Sequence, residues 1–313
     1  MAESGMNFEI PIGDWVEAGV DWIQDNLTPL LDAIADGLDL IIDAFENLLL
    51  VFPPLLLAAL IVLLATWRVG WRFGLFAVGA MVLLFGMDIW DETVVTLALV
   101  IASSLVALAI GIPIGIAMAR NDKVEMIARP ILDLMQTMPP FVYLIPAAIF
   151  FGLGKVPGAI ATLIFAMPPA VRLTNLGIRQ VSVEHVEAGK AFGCTSSQLL
   201  FKVQLPLAMP SIMAGINQTI MLALSMVVIA SMIGAGGLGN TVLTGIQRLN
   251  VGLGFEGGLG VVLLAILLDR ITQSYGSIRS RSGPGLVQRL RNWAGRRPDT
   301  QAGTQAGTGT AGT

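Results

Sequence analysis

The 313-residue chain contains a single cysteine, Cys194, and a single histidine, His185. One cysteine excludes a disulfide framework, a CxxC redox pair and every thiolate-based zinc site, and one histidine leaves few nitrogen donors for a metal centre. Charge is scarce as well: 13% of residues are Asp, Glu, Lys or Arg, against about a quarter in soluble domains, while 55% are hydrophobic. A Walker A loop is also missing. It needs Gly-Lys followed by Ser or Thr, and the pairs Gly154-Lys155 and Gly189-Lys190 run into Val156 and Ala191. These shortages argue against redox, metal and P-loop chemistry in this chain and point to an integral membrane protein.

A helix in lipid must satisfy its own backbone, which takes about 20 mostly apolar residues. Windows of that kind lie at Leu48–Trp67, Phe73–Trp90, Val94–Ala119, Ile131–Gly152, Pro157–Leu176, Leu205–Gly234 and Leu259–Ile278. The expected fold is an all-α polytopic bundle of about seven spans. The first 67 residues carry 11 carboxylates and no Lys or Arg. Arg68 and Arg72, then Arg120, Lys123 and Arg129, then Arg172, Arg179, Lys190 and Lys202, and finally the run from Arg270 to Arg297 all fall on one side, leaving only Lys155 and Arg248 on the other. By the positive-inside rule the amino terminus is outside and the carboxy terminus cytoplasmic, which is the parity of seven spans.

Residues 1–47 form an extracytoplasmic acidic segment. Asp14, Glu17, Asp21, Asp25, Asp32, Asp36, Asp39, Asp43 and Glu46 recur at helical spacing opposite an apolar face, which predicts one amphipathic helix, or two broken near Pro29. It is either an interfacial scaffold or a solubilising lead-in to the first span. The start lacks the basic region and cleavage site of a signal peptide, so the amino terminus is expected to be retained. The permease-sized membrane region spans residues 48–278. Residues 279–313 read as a basic stretch, Leu286 to Arg297, followed by a Gly/Thr/Ala-rich tail too polar to order itself.

The loop between the fifth and sixth windows, residues 178–204, is long and not of low complexity. Ser182 can cap a short helix running to Phe192, and Gly193 supplies the left-handed residue that ends it. Thr195-Ser196-Ser197-Gln198 fits a capping box, after which comes the apolar stripe Leu199, Leu200 and Val203. Pro206 and Pro210 fit best near the start of the sixth span. The expected element is a helix, a glycine turn and another helix.

Glu187-Ala188-Gly189, three residues, Gly193, nine residues, Val203, one residue, Leu205-Pro206 resembles the EAA loop of ABC importer permeases, with Gly189 in place of the usual Ala and Val203 in place of Ile. The stretches Gln136 to Pro146, Pro168 to Arg179 and Phe201 to Pro210 resemble the glycine betaine/proline betaine branch of that family, and the likeness covers roughly Val94 to Gln273. The resemblance implies a type I importer permease in the cell (cytoplasmic) membrane, acting as a pair of this chain with two cytoplasmic ATPase subunits and a separate external binding protein. No cofactor belongs to this chain; ATP and Mg belong to the ATPase. It also implies that Glu187, Ala188, Gly189, Gly193, Val203, Leu205 and Pro206 couple to the ATPase.

Pro139, Pro140, Phe141, Tyr143, Pro168, Pro169 and Asn217 are the candidates for pathway or gate. Prolines in spans break helical bonding where neighbours or a cavity satisfy the freed groups, and aromatic faces attract quaternary ammonium groups. Simple kinks, ordinary packing and interhelical hydrogen bonding are the plainer roles for the same residues. Asp133 and Asp269 are expected near the inside ends of their spans, where they can reach water or the neighbouring Arg129 and Arg270. No charge stands at a span centre, which disfavours an ion-coupled carrier. A permease for another amine or amino acid, such as choline or proline, is the nearer alternative. Gly234 to Gly239 matches a dinucleotide fingerprint but comes after a membrane helix, so it reads as a turn, and Gly111 with Gly115 gives the spacing of close helix packing.

Overall fold

The computed structural model describes residues 11–276, and over that range every regular element is helical. In chain order these are α1 Ile12–Leu50, α2 Pro54–Arg68, α3 Trp71–Gly86, α4 Trp90–Arg120, α5 Asp122–Thr137, α6 Pro140–Phe151, α7 Lys155–Arg179, α8 Val183–Ala191, α9 Ser196–Leu199, a π-turn Leu200–Gln204, α10 Leu205–Ser231, α11 Gly237–Gln247 and α12 Val251–Gly276. The basic stretch from Leu286, the tail, and the end of the seventh window at Ile278 lie outside the described residues.

All seven apolar windows fall on helices, but not all as single spans. Four helices, Trp90–Arg120, Lys155–Arg179, Ser196–Ser231 and Val251–Tyr275, are each long and apolar enough to cross a bilayer, and counting two bent helix pairs as spans raises the number to six. The bends are 97° between α1 and α2 and 96° between α5 and α6. Both arise from tandem prolines. Pro53 and Pro139 sit extended before their helices, with ψ of 141° and 137°, and Pro54 and Pro140 take the first helical position, where a missing N–H costs nothing. The second window meets α3, only 16 residues long.

The structure decides one alternative that the sequence left open and corrects one expectation. Of the two readings of the acidic segment, one helix or two broken near Pro29, the structure has the single helix: α1 runs unbroken for 39 residues, exposed on both sides of the proline, with Asn26 and Thr28 side chains donating to the carbonyls of Trp22 and Gln24. Helix α1 runs on past residue 47 to Leu50, and its Leu38 and Ile42 are buried, Ile42 packing with Leu99, Ala159 and Ala235. Pro168 and Pro169 do not interrupt α7 either. They lie buried where α4 and α10 close in: a Cβ on Gly111 would stand 3.2 Å from Met167, and one on Gly215 3.2 Å from the Pro169 carbonyl. Helices α4, α7 and α10 thus form the packed centre, with Gly115 meeting Val171 and Thr174 across the same α4–α7 seam. Gly111 and Gly115 do what their spacing predicted.

The Gly234-rich turn links α10 to α11 through three left-handed glycines, Gly234, Gly236 and Gly237, and the Leu238 N–H donates to Thr96 Oγ1 at 2.8 Å. The α11 helix itself was not legible in the glycine-rich sequence.

Candidate coupling site

The expected helix–glycine–helix element is present and built from two interlocked caps. Helix α8 ends with Gly193 at φ +76°, its N–H bonded to the Lys190 carbonyl at 2.9 Å, while the Cys194 N–H reaches the Gly189 carbonyl at 3.1 Å. That pair of bonds is a Schellman motif, which needs the left-handed residue glycine tolerates. One residue later the capping box closes: Thr195 Oγ1 accepts from the Gln198 N–H at 3.3 Å and Gln198 Oε1 accepts from the Thr195 N–H at 2.9 Å. Ser182 does hold the N-cap position of α8, but its side chain makes no capping bond and pairs with His185 Nδ1 instead.

Beyond the capping box the structure departs from the expected pair of helices. Helix α9 is not a separate element; it continues through the π-turn into α10 as one 36-residue helix, Ser196–Ser231. Within the turn the Leu205 N–H reaches back five residues to the Leu200 carbonyl. A pyrrolidine ring clashes with the carbonyl four residues before it, and a wider turn just ahead of Pro206 relieves that clash without ending the helix. Pro206 therefore lies inside a continuous rod, not at the start of a new one.

The elbow is anchored to the core on one side and open on the other. Leu200 packs with Ile178, Ala208 and Ile212, all buried, against Ile112 and Ile116 of α4. Gly189 is buried where α8 meets α9, a Cβ there falling 2.7 Å from Leu199 Cδ1 and 3.7 Å from Val203 Cγ2. Glu187 and Ala188 face outward beside Phe192, which is 89% exposed, and Phe201, 63% exposed. Neither phenylalanine was given a role of its own by the sequence.

Beside the elbow's root an ionic cluster ties α5 to α4 and α7. Arg179 donates to Asp122 at 2.6 Å, to Glu125 at 2.9 Å and to the Met118 carbonyl at 2.8 Å, and its Nε donates to Asn175 at 3.0 Å. The Asn175 amide donates to Glu125 at 3.1 Å, and Arg129 pairs with the same carboxylate at 2.8 Å. Asp133 pairs with Arg172 at 2.6 Å rather than with Arg129 one turn before it, because α7 lies opposite it. A cavity of about 340 Å³ opens among these groups. The spacing of Asp122, Glu125 and Arg129 marks one helical face in the sequence; the partners on α7 cannot be read from it.

The pathway candidates divide. Pro139 and Pro140 form the α5–α6 bend, leaving α6 with 12 residues, about 18 Å of rise. Phe141 is half exposed, whereas Tyr143 packs with Phe165 and the buried Leu144, Ala161 and Met226, its hydroxyl buried without a hydrogen-bond partner among the described residues. Asn217 uses both ends of its amide on α12, donating to Asp269 at 2.8 Å and accepting from Thr272 at 2.6 Å. Asp269 also accepts from Gln273 at 2.7 Å, so its partners among the described residues are amides and not Arg270.

Residues 111–275 match the family model described as "Binding-protein-dependent transport system inner membrane component". The chain is 58% identical over 210 residues to the glycine betaine/carnitine transport permease protein GbuB of Listeria monocytogenes, an alignment covering 66% of this chain and 74% of that one. It is 52% identical over 220 residues to the glycine betaine/proline betaine transport system permease protein ProW of Escherichia coli, covering 70% of this chain and 62% of the relative. Among solved structures, an inward-facing conformation of the MetNI methionine ABC transporter aligns with a TM-score of 0.54 at 21% identity, over 58% of this chain and 91% of that chain. At that identity the likeness speaks to the fold alone.

Proposed function

Because this chain belongs to the family of binding-protein-dependent transport system inner membrane components, we propose that it is the permease of an ATP-driven importer for glycine betaine, proline betaine and related compatible solutes, moved by a partner ATPase through the elbow from Val183 to Pro206. The observation that carries this reading is mechanical. The Schellman turn and capping box fix α8 against α9, and α9 is continuous with the sixth span, so a push on the exposed Glu187–Phe192 face moves the span as one body. A loop with a flexible joint at either place would absorb that motion.

Family membership entails an ATPase and a binding protein as partners. Further to this, we read the permease as working in pairs, with the elbow cytoplasmic, the acidic helix α1 outside, and alternating access driven by ATP-dependent closure of the ATPases. The side of the elbow is supported by the basic residues gathered there, Arg120, Lys123, Arg129, Arg172, Arg179, Lys190 and Lys202. The substrate class is supported by the names of relatives more than half identical. Hydrolysis of ATP belongs to the partner.

Reconstituting the chain in vesicles with its ATPase and binding protein tests this reading. ATP-dependent uptake of labelled glycine betaine, abolished when the binding protein is withheld, is the expected result. Uptake of choline, carnitine or proline in its place would move the assignment to another amine or amino acid. Uptake without ATP would replace it with an ion-coupled carrier.

A further inference from the structure

Arg68 ends α2, and its Nε and Nη2 are buried without a hydrogen-bond partner among the described residues. Its guanidinium carbon lies 3.7 Å from the ring centroid of Tyr275 on α12 and 5.5 Å from that of Trp67. Aromatic faces stabilise a cation, but they accept none of its in-plane N–H bonds, and a buried donor left unmade is costly. An anion is the partner this geometry calls for.

What lies beneath Arg68 says which anion. Leu57, Ile61 and Leu64 of α2 and Leu264, Leu268 and Ile271 of α12 line a cavity of about 220 Å³ whose wall is completed by Leu49 of α1, Met81 of α3 and the α4 face from Trp90 to Ile101. Its lining is apolar apart from Thr93, whose hydroxyl is bonded to the Ile89 carbonyl at 2.7 Å. The two stripes share a register. From Leu57 to Arg68 and from Leu264 to Tyr275 the steps are four, three and four residues, so each apolar column ends at one member of the stacked pair. Eleven residues of helix rise about 17 Å, close to the roughly 15 Å depth of one leaflet's hydrocarbon. Trp67 and Trp71, 75% and 70% exposed, flank the same end as an interfacial aromatic belt would, and Arg72 adds a second cation.

We infer that the slot between α2 and α12 is a binding site for an acidic phospholipid, one acyl chain lying in the apolar cavity and the phosphate accepting hydrogen bonds from Arg68 at the level of the tryptophans. Free phosphate would satisfy the guanidinium but leave the apolar column, about 17 Å long, unfilled, so the occupant is the lipid.

The test uses the full chain, purified in mild detergent, delipidated, and titrated with phosphatidylglycerol while bound lipid is counted by native mass spectrometry. One tightly held lipid per chain is expected. Arg68→Gln should weaken it about fivefold, the effect of about one basic contact to an acidic lipid, and Ile61→Phe, which fills the slot and spares the arginine, should weaken it at least as much. Phosphatidylglycerol carrying a photoreactive acyl chain should label peptides of α2, α12 or the Trp90–Ile101 face of α4 in the wild type, and inorganic phosphate should not compete. Equal retention by both variants, labelling elsewhere, or displacement by inorganic phosphate would each overturn the assignment. So would efficient disulfide cross-linking of two copies through cysteines placed at position 61, which would make the slot a contact between chains.

Discussion

Gly189 of α8 lies so close to Leu199 of α9 that a β-carbon on the glycine would stand 2.7 Å from Leu199 Cδ1. The contact joins the last residue of the Glu187-Ala188-Gly189 run in α8 to the helix that becomes the sixth span. Since the clash is with the end of a flexible side chain, Gly189→Ala should fold and transport at a rate within about twofold of wild type, at a cost of about 1 kcal/mol in the elbow. Gly189→Leu cannot be accommodated by a rotamer change and should wedge α8 from α9. The check is the ratio of solute taken up to ATP hydrolysed in the reconstituted assembly. A normal ratio in Gly189→Leu would show that the contact does not transmit motion.

Gly193 sits at φ +76° with open space around its Cα, so only backbone conformation limits what can replace it. A β-branched residue there costs about 1–2 kcal/mol, whereas asparagine tolerates the left-handed region. Gly193→Val should therefore lower uptake while ATP hydrolysis by the assembled complex persists, and Gly193→Asn should restore most of the uptake. Equal uptake by both variants would show that the Schellman turn is dispensable.

Arg179 joins α4, α5 and α7 through four bonds while remaining 35% exposed on its side chain. Solvent screening reduces what each bond contributes, so Arg179→Gln should cost about 1 kcal/mol in all, and more at low salt than at high salt. The readout is the melting temperature of the purified chain at two salt concentrations. Lysine should rescue only partly, because one ammonium cannot reproduce the forked contacts of a guanidinium to Asp122, Asn175 and Met118.

Cys194 is half-buried next to Gly193 and is the chain's one thiol. In intact cells a membrane-impermeant maleimide should fail to label it from outside, and should label it in inverted vesicles unless bound ATPase shields it. Labelling from outside alone would reverse the proposed orientation, and the elbow would no longer face an ATP-driven partner.

Much of the elbow was readable because its caps are local. The Gly193 turn and the Thr195–Gln198 box each involve residues no more than five apart, so residue type at fixed spacing carries the information. Ser182 shows the limit of that reasoning: it occupies the capping position, yet its side chain turns to His185. Proline was the less reliable guide. The same pair bends the chain at Pro139-Pro140 but leaves α7 unbroken at Pro168-Pro169, where both prolines are buried with α4 and α10 packed against that stretch of α7.

From its sequence alone the protein's helical character, its membrane setting, its charge asymmetry and the form of the elbow were determined, since each depends on composition or on spacings within a turn or two of helix. Only the tertiary structure decided that α9 and the sixth span are one rod, that Asp133 meets Arg172, that Asn217 meets Asp269, and that the Arg68 guanidinium stacks on Tyr275. Those pairs are brought together by the packing of helices tens to hundreds of residues apart, and apolar periodicity fixes which face of a helix turns inward without fixing which neighbour it finds there.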